Sequence, residues 1–403
     1  MKKSIYSQLS VMMFLEFLIW GAWFVTLGTY LGNINFSGSQ IGYTYLMNNI
    51  AAIISPFFIG MIADRYFSSE KVMAILHILG GIVIFFAAGI TSVSGLILGL
   101  LLYNICYMPT IALANAISFN QMENPDKQFP KIRVWGTIGW IVAGLLITFI
   151  QFNYFEGVER SAIPMKMAAV ASIILGFYAI TLPKTPPQNI GKEVTIGDIL
   201  GVKALKLMKE KSFLIFVICS LLISIPLAFY YNFTNMFLND LGMKGVAAKQ
   251  SMGQMSEVIF MILMPFFFVR LGVKRMLLVG MLSWVLRYLL FAMGNIGAGV
   301  WMLYLGILLH GLCYDFFFVT GQIYVDKKAG KDIRASAQGF IALVTYGIGI
   351  GLGSVVSGQI VDLFTSEGVK NWPAIWWSPA IFAALVAILF AGTFKDTVAD
   401  EKA

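Results

Sequence analysis

Five ionisable side chains, Glu16, Glu257, Arg287, His310 and Asp315, stand inside apolar runs long enough to cross a bilayer. A charge at the centre of such a run costs roughly 2.5–3.5 kcal/mol on insertion scales unless it faces protein or water, so each is a functional candidate. Arg133, Thr137 and Trp140 are spaced i, i+4 and i+7, which places them on one helical face. A guanidinium fork, a hydroxyl and an aromatic plate can together recognise a polar ring by hydrogen bonding and stacking. Gln254 and Glu257, at i and i+3, share a second face, where the amide both donates and accepts and the carboxylate can take up a proton. His310 and Tyr314, at i and i+4, share a third, and Asp315 points about 100° away from Tyr314. Each has a structural alternative. Arg133 suits an interfacial anchor at a helix start. Glu257 or Asp315 suits an ion pair with Arg287. His310 suits a proton carrier or a hydrogen-bonding group, and Glu16, about two turns into the first run, suits a water-exposed or partner-bonded group near the inner face.

The elements that must hold these residues follow from hydropathy. Of 403 residues, 59% are hydrophobic and 12% are charged, about half the charged share of a soluble domain. Spans are expected near 9–31, 40–62, 72–91, 95–118, 132–152, 163–182, 212–238, 250–269, 275–294, 299–325, 334–361 and 373–394. The runs are continuous rather than alternating, which excludes a β-barrel reading. The expected fold is all-α, a polytopic membrane protein of twelve helices. Two six-helix bundles at 1–182 and 212–394 are joined by a basic cytoplasmic linker at 183–211, with a tail at 395–403. Short basic turns after spans two and eight, and Ile-Arg openings at Ile132-Arg133 and Ile333-Arg334, suggest that the halves are duplicates.

With the N-terminus inside, most of the 28 Lys and Arg residues fall in cytoplasmic segments; Arg160, Lys166, Lys244, Lys249 and Lys370 fall outside. The asymmetry places both termini in the cytoplasm. The net charge of +8 is spread between apolar runs rather than over a folded basic face, so no nucleic-acid partner is expected; the bilayer is. Two histidines far apart give no metal site, and three cysteines in apolar runs give no disulfide framework. Without a phosphate-binding Gly-x-x-x-x-Gly-Lys loop or an enzyme constellation, neither ATP-driven transport nor an enzyme is expected, and no cofactor is needed.

The turn Gly60-Met-Ile-Ala-Asp64-Arg65 resembles the loop signature of the major facilitator superfamily. Six further stretches resemble its nucleoside:proton symporter family. In the first half these are Leu18-Ile-Trp20-Gly-Ala-Trp23, Tyr107-Met-Pro109-Thr110 and Ile132-Arg133-Val-Trp135-Gly136-Thr137-Ile-Gly139. In the second they are Gln254-Met-Ser256-Glu257, Asp315-Phe316-Phe317 and Ile333-Arg334-Ala-Ser336-Ala-Gln338-Gly339. The resemblance implies proton-coupled nucleoside uptake across a bacterial inner membrane, the proton being the coupling ion. It implies Arg133, Thr137, Gln254 and Glu257 as cavity residues, Asp315 as an intramembrane carboxylate, and Asp64 and Arg65 as a conformational gate. Departures fall at Trp140 (usually Phe), His310 (Tyr), Tyr314 (Phe) and Glu16 (Gln), and at Ala228 and Tyr231, where Gln and Asn are usual.

The combined expectation is alternating access by a monomer. The solute-binding residues are Arg133, Thr137, Trp140, Gln254, Glu257, His310 and Tyr314, and the proton carrier is Glu257 first, then Asp315 or Glu16. The same fold carrying a sugar, nucleobase or other neutral polar solute is the alternative. A non-transporting nutrient sensor is a further one. The charge asymmetry is tested by reporter fusions: a fluorescent protein at either terminus is expected to glow, and alkaline phosphatase there to stay inactive. Active phosphatase at either end would reverse the topology.

Overall fold

A computed structural model describes residues 2–65, 67–187 and 202–395; at 56–65, 126, 202–203, 331–332 and 335 the backbone alone is described. The predicted linker lies partly, and the tail almost wholly, outside the described residues. Among the described residues the chain makes twelve apolar helices of membrane type. They are α1 (Lys3–Asn33), α2 (Gly38–Arg65), α3 (Ser69–Ala87), α4 (Val93–Asn120), α5 (Pro125–Asn153) and α6 (Ile163–Ala179). After them come α7 (Lys211–Asp240), α8 and α9 (Val246–Met293, divided at Gly272), α10 (Val300–Gly330), α11 (Ser336–Leu363) and α12 (Trp372–Thr393). All twelve predicted spans are present. The largest departures from the predicted ends are at α1, which begins at Lys3, and at α5 and α10, which run further towards Pro125 and Gly330; α2 also runs on to Arg65. Polar and basic residues continue a helix that hydropathy alone would stop, because a helix satisfies its own backbone wherever it leaves the hydrocarbon.

The chain forms two compact units. One comprises Met1–Phe36, Tyr43–Val194 and Gly245–Ser251; the other comprises Ser37–Gly42, Thr195–Lys244 and Met252–Ala403. In the first, α1 packs along α5 so closely that a Cβ at Gly139 would meet the main-chain oxygen of Phe14. Glu159, itself buried, accepts from the amide of Ala247 at the opening of α8 (3.1 Å). In the second, the Asp362 carboxylate accepts from the amides of Gly38 (2.5 Å) and Ser39 (2.8 Å), at the opening of α2. Both contacts satisfy free N–H groups at a helix start with negative charge. A two-residue hairpin before α12, β1 (Thr365–Ser366) with β2 (Val369–Lys370), turns through Glu367 and Gly368 at positive φ.

Two glycines fix turns that the sequence expects between apolar runs. Gly272 (φ 67°, ψ 176°) breaks α8 from α9, and Gly330 (φ 65°, ψ −177°) ends α10. This backbone region is essentially open to glycine alone. No atom of the described residues lies within 4 Å of a Cβ at either position, so a substitution there meets backbone strain first. Gly272→Ala is therefore expected to cost about 1–3 kcal/mol and to lower the melting temperature of the detergent-solubilised protein. An unchanged melting curve would show that the turn has another route.

Candidate functional site

In the first unit Arg133, Thr137 and Trp140 lie half-buried along α5. The Arg133 guanidinium sits over the Phe17 ring of α1 at 3.9 Å, a cation–π contact. Trp140 meets Trp20 edge-on, with centroids 5.7 Å apart, and Trp20 meets Tyr107 of α4 at 6.1 Å. The indole N–H of Trp20 is buried with no acceptor among the described residues, an unused donor beside Trp140. Glycines at 21, 136 and 139 allow these rings their places, since a Cβ at any of them would press on the facing helix or its aromatic side chains.

Glu16 is not a free carboxylate near a membrane face. It is fully buried between α1, α3 and α4, with Oε2 2.9 Å from His77 Nε2 and Oε1 2.7 Å from Thr110 Oγ1. His77 is the residue that sequence reasoning missed. It lies within an apolar span like the five groups singled out, and the same rule would have included it. Asp64 and Arg65 belong to the helical backbone of α2, and their side chains lie outside the described residues.

In the second unit Glu257, His310 and Tyr314 come together. A Cβ at Gly311 would lie 2.5 Å from the Glu257 amide, and one at Gly253 would lie 3.1 Å from the His310 Cβ, so these glycines allow α8 and α10 to touch. His310 is buried, with Nε2 3.9 Å from Glu257 Oε2, beyond hydrogen-bond range. Its Nδ1 has no partner among the described residues. His310 stacks on Tyr230 (5.1 Å, 17°), and the Arg287 guanidinium lies over the same Tyr230 at 4.1 Å. Gln254 is half-buried one turn from Glu257.

α10 widens into a π-helical turn at Asp315–Val319, and α11 does the same at Leu343–Gly349. Such turns break the regular register and are common at functional sites. Tyr314 and Tyr346, one from each helix, meet hydroxyl to hydroxyl at 2.7 Å. Tyr346 was not foreseen: it carries no charge that would single it out within its apolar run. A recess of about 30 Å³ beside it, lined by Ser220, Gln322, Gln338 and Thr345, has room for a water or two.

Asp315 is fully buried, and neither carboxylate oxygen has a partner among the described residues. The ion pair with Arg287 that the sequence allowed is not formed. Arg287 donates from Nε to the Gly306 carbonyl (3.0 Å), and its two terminal nitrogens have no hydrogen-bond partner among the described residues. No group of three or more His, Cys, Asp or Glu able to hold a metal occurs among the described residues.

Helices of this number and burial, with ionisable groups gathered inside each unit, define a polytopic membrane transporter. The family model described as "Nucleoside H+ symporter" matches residues 1–399, and the chain belongs to that family, within the major facilitator superfamily. It is 42% identical to "Putative nucleoside transporter YegT" of Escherichia coli, covering 97% of this chain and 94% of that protein. It is 35% identical to "Xanthosine permease" of the same organism, covering 99% and 98%. The crystal structure of the nucleoside transporter NupG superposes with a TM-score of 0.89 at 33% identity, covering 98% of this chain and 100% of the other. The chain is thus a nucleoside–proton symporter by family and a multi-pass membrane protein, not an enzyme.

The close approach at Gly311 yields a test. Gly311→Ala must part α8 from α10 at Glu257, a strain of about 1–3 kcal/mol, and is expected to cut nucleoside transport strongly. Gly392→Ala, where a Cβ meets no atom of the described residues within 4 Å, is expected to leave transport unchanged. Equal activity in the two variants would show that the Glu257–His310 approach is not needed.

Proposed function

We propose that the chain takes nucleosides into the cell with protons. It would act as a monomer in a bacterial inner membrane with both termini cytoplasmic. The helical rather than barrel architecture suits that membrane, and the Lys and Arg distribution suits that orientation. Arg133, Thr137 and Trp140, with Gln254, Glu257, His310 and Tyr314, are the groups assigned to the solute. A nucleoside offers a flat base and a ribose rich in hydroxyls. Trp140 supplies a face for stacking, Arg133 and Gln254 supply donors for base acceptors, and Glu257 accepts from a ribose hydroxyl. Asp64 and Arg65 are assigned to the conformational gate on the strength of their motif.

The observation that carries the coupling is Asp315, buried with both oxygens unpartnered. When it gives up its proton, the remaining carboxylate has no hydrogen-bond donor among the described residues, so a change of packing that supplies one is favoured. Proton release is thereby tied to conformation, which is what symport requires. Glu16 is engaged with His77 and Thr110, and Glu257 is partly exposed beside His310, so neither has this property. Asp315 therefore replaces Glu257 as the first choice for the proton.

The test uses proteoliposomes with an imposed proton gradient, acid outside. The parent protein is expected to accumulate labelled uridine or adenosine. Asp315→Asn is expected to lose gradient-driven accumulation, by at least about tenfold, while still exchanging nucleoside across the membrane. Accumulation by Asp315→Asn at the parent level would overturn the assignment. Departures at Ala228, Tyr231, His310 and Tyr314 keep sugars and nucleobases as rival cargo, and a competition panel in the same assay separates them. No uptake of any nucleoside would remove the substrate reading.

A further inference from the structure

The first unit holds a buried acid–base pair that the proposed coupling does not use. Glu16 of α1 and His77 of α3 are both fully buried as side chains, with Oε2 and Nε2 2.9 Å apart. Ser172 of α6 donates its only hydrogen to the His77 carbonyl (2.9 Å), so its oxygen is left as an acceptor, and His77 Nδ1, 3.0 Å away, is the donor to it. With Nδ1 protonated, one hydrogen is left for the Nε2–Oε2 contact. It sits on the imidazole, giving an imidazolium–carboxylate pair, or on the carboxyl, giving an imidazole and an acid. Both forms are net neutral. A second hydrogen would set two donors face to face, and none would set two lone pairs face to face over a buried negative charge. The site is also tied to α4. The Tyr107 hydroxyl donates to the Glu16 main-chain oxygen (2.6 Å), and Thr110 Oγ1 lies 2.7 Å from Glu16 Oε1 and 2.6 Å from the Tyr107 main-chain oxygen, its one hydrogen shared between the two acceptors. Among the described residues, Tyr103 and Tyr107 of α4 lie within electrostatic range of Glu16, Cys106 of α4 within range of Tyr103, and Arg133 of α5 within range of Tyr107.

The pair joins α1, α3, α4 and α6 at the height where α1 presents two aromatic side chains to α5. Phe17, the next residue, carries the Arg133 guanidinium at 3.9 Å. Trp20, one turn on, meets Trp140 at 5.7 Å and Tyr107 at 6.1 Å. We propose that Glu16 and His77, sharing one proton, are positioning residues that hold Phe17 and Trp20 in place and thereby set Arg133 and Trp140 for the solute. This rests on the assignment of Arg133 and Trp140 to the nucleoside. The single-proton geometry makes a specific demand: an amide in place of Glu16 can donate to the His77 Nε2 lone pair and accept from Thr110, so it can do the same work without the proton. An apolar side chain cannot.

The test compares Glu16→Gln, Glu16→Leu, His77→Leu and Thr110→Val in the full-length protein. Uridine uptake gives KM and Vmax. The emission of Trp140, taken as the difference between each protein and its Trp140→Phe counterpart, reports the aromatic wall without any nucleoside. Glu16→Gln is expected to keep KM within about twofold of the parent, while Glu16→Leu and His77→Leu raise it about tenfold or more with a smaller effect on Vmax. Their Trp140 emission is expected to shift to the red. Thr110→Val removes one hydroxyl only and is expected to show the same changes at smaller size, so it keeps the test decisive if the leucine variants do not fold. Unchanged KM and emission in the folded variants, or a fall in Vmax alone, would overturn the inference. So would a Glu16→Gln variant as impaired as Glu16→Leu. If the parent itself takes up no nucleoside, the functional reading fails, and the emission difference still decides the positioning role.

Discussion

A polar group inside hydrocarbon has no water to turn to, and the arrangement of this protein follows from how each such group is met. Three answers appear. Glu16 is met completely: histidine, threonine and tyrosine close around it from two other helices. Arg287 is met in part, by one carbonyl and the face of Tyr230. Asp315 is not met by any described residue. A fully satisfied network is rigid, and it suits a scaffold beside Arg133 and Trp140. An unsatisfied acid suits a group whose state of protonation has to change the packing around it.

Close helix contact makes these answers possible. Glycine at 139 lets α1 lie against α5, and glycine at 253 and 311 lets α8 lie against α10. In a membrane, helices gain nothing by hiding from lipid. They associate through close backbone approach and polar contacts, and small residues provide the approach. Tyr314 stands immediately before the π-helical turn of α10 and Tyr346 lies inside that of α11, and their hydroxyls face each other at 2.7 Å.

The fold was largely legible in the sequence, because span length and continuous apolar runs follow from bilayer thickness. The side-by-side placement of Arg133, Thr137 and Trp140 also follows from helical spacing. Contacts between helices distant in sequence were not legible. Nothing in the spacing of Glu16 and His77, sixty-one residues apart, tells that they touch. The sequence offered Arg287 as a partner for Asp315, but charge complementarity alone does not fix which faces of two helices meet. The π-helical turn at Asp315 is a backbone detail without a local sequence rule. Tyr346 carries no charge, so nothing marked it within its apolar run.

At the centre of the account is a carrier in which a nucleoside and a proton move together. The most direct measurement is a pH electrode in a lightly buffered suspension of proteoliposomes holding the purified protein, with no gradient imposed. Adding uridine outside is expected to raise the external pH as protons enter with the solute, and empty liposomes are expected to give no change. Labelled uridine entering at the same rate while the external pH stays flat would contradict the account.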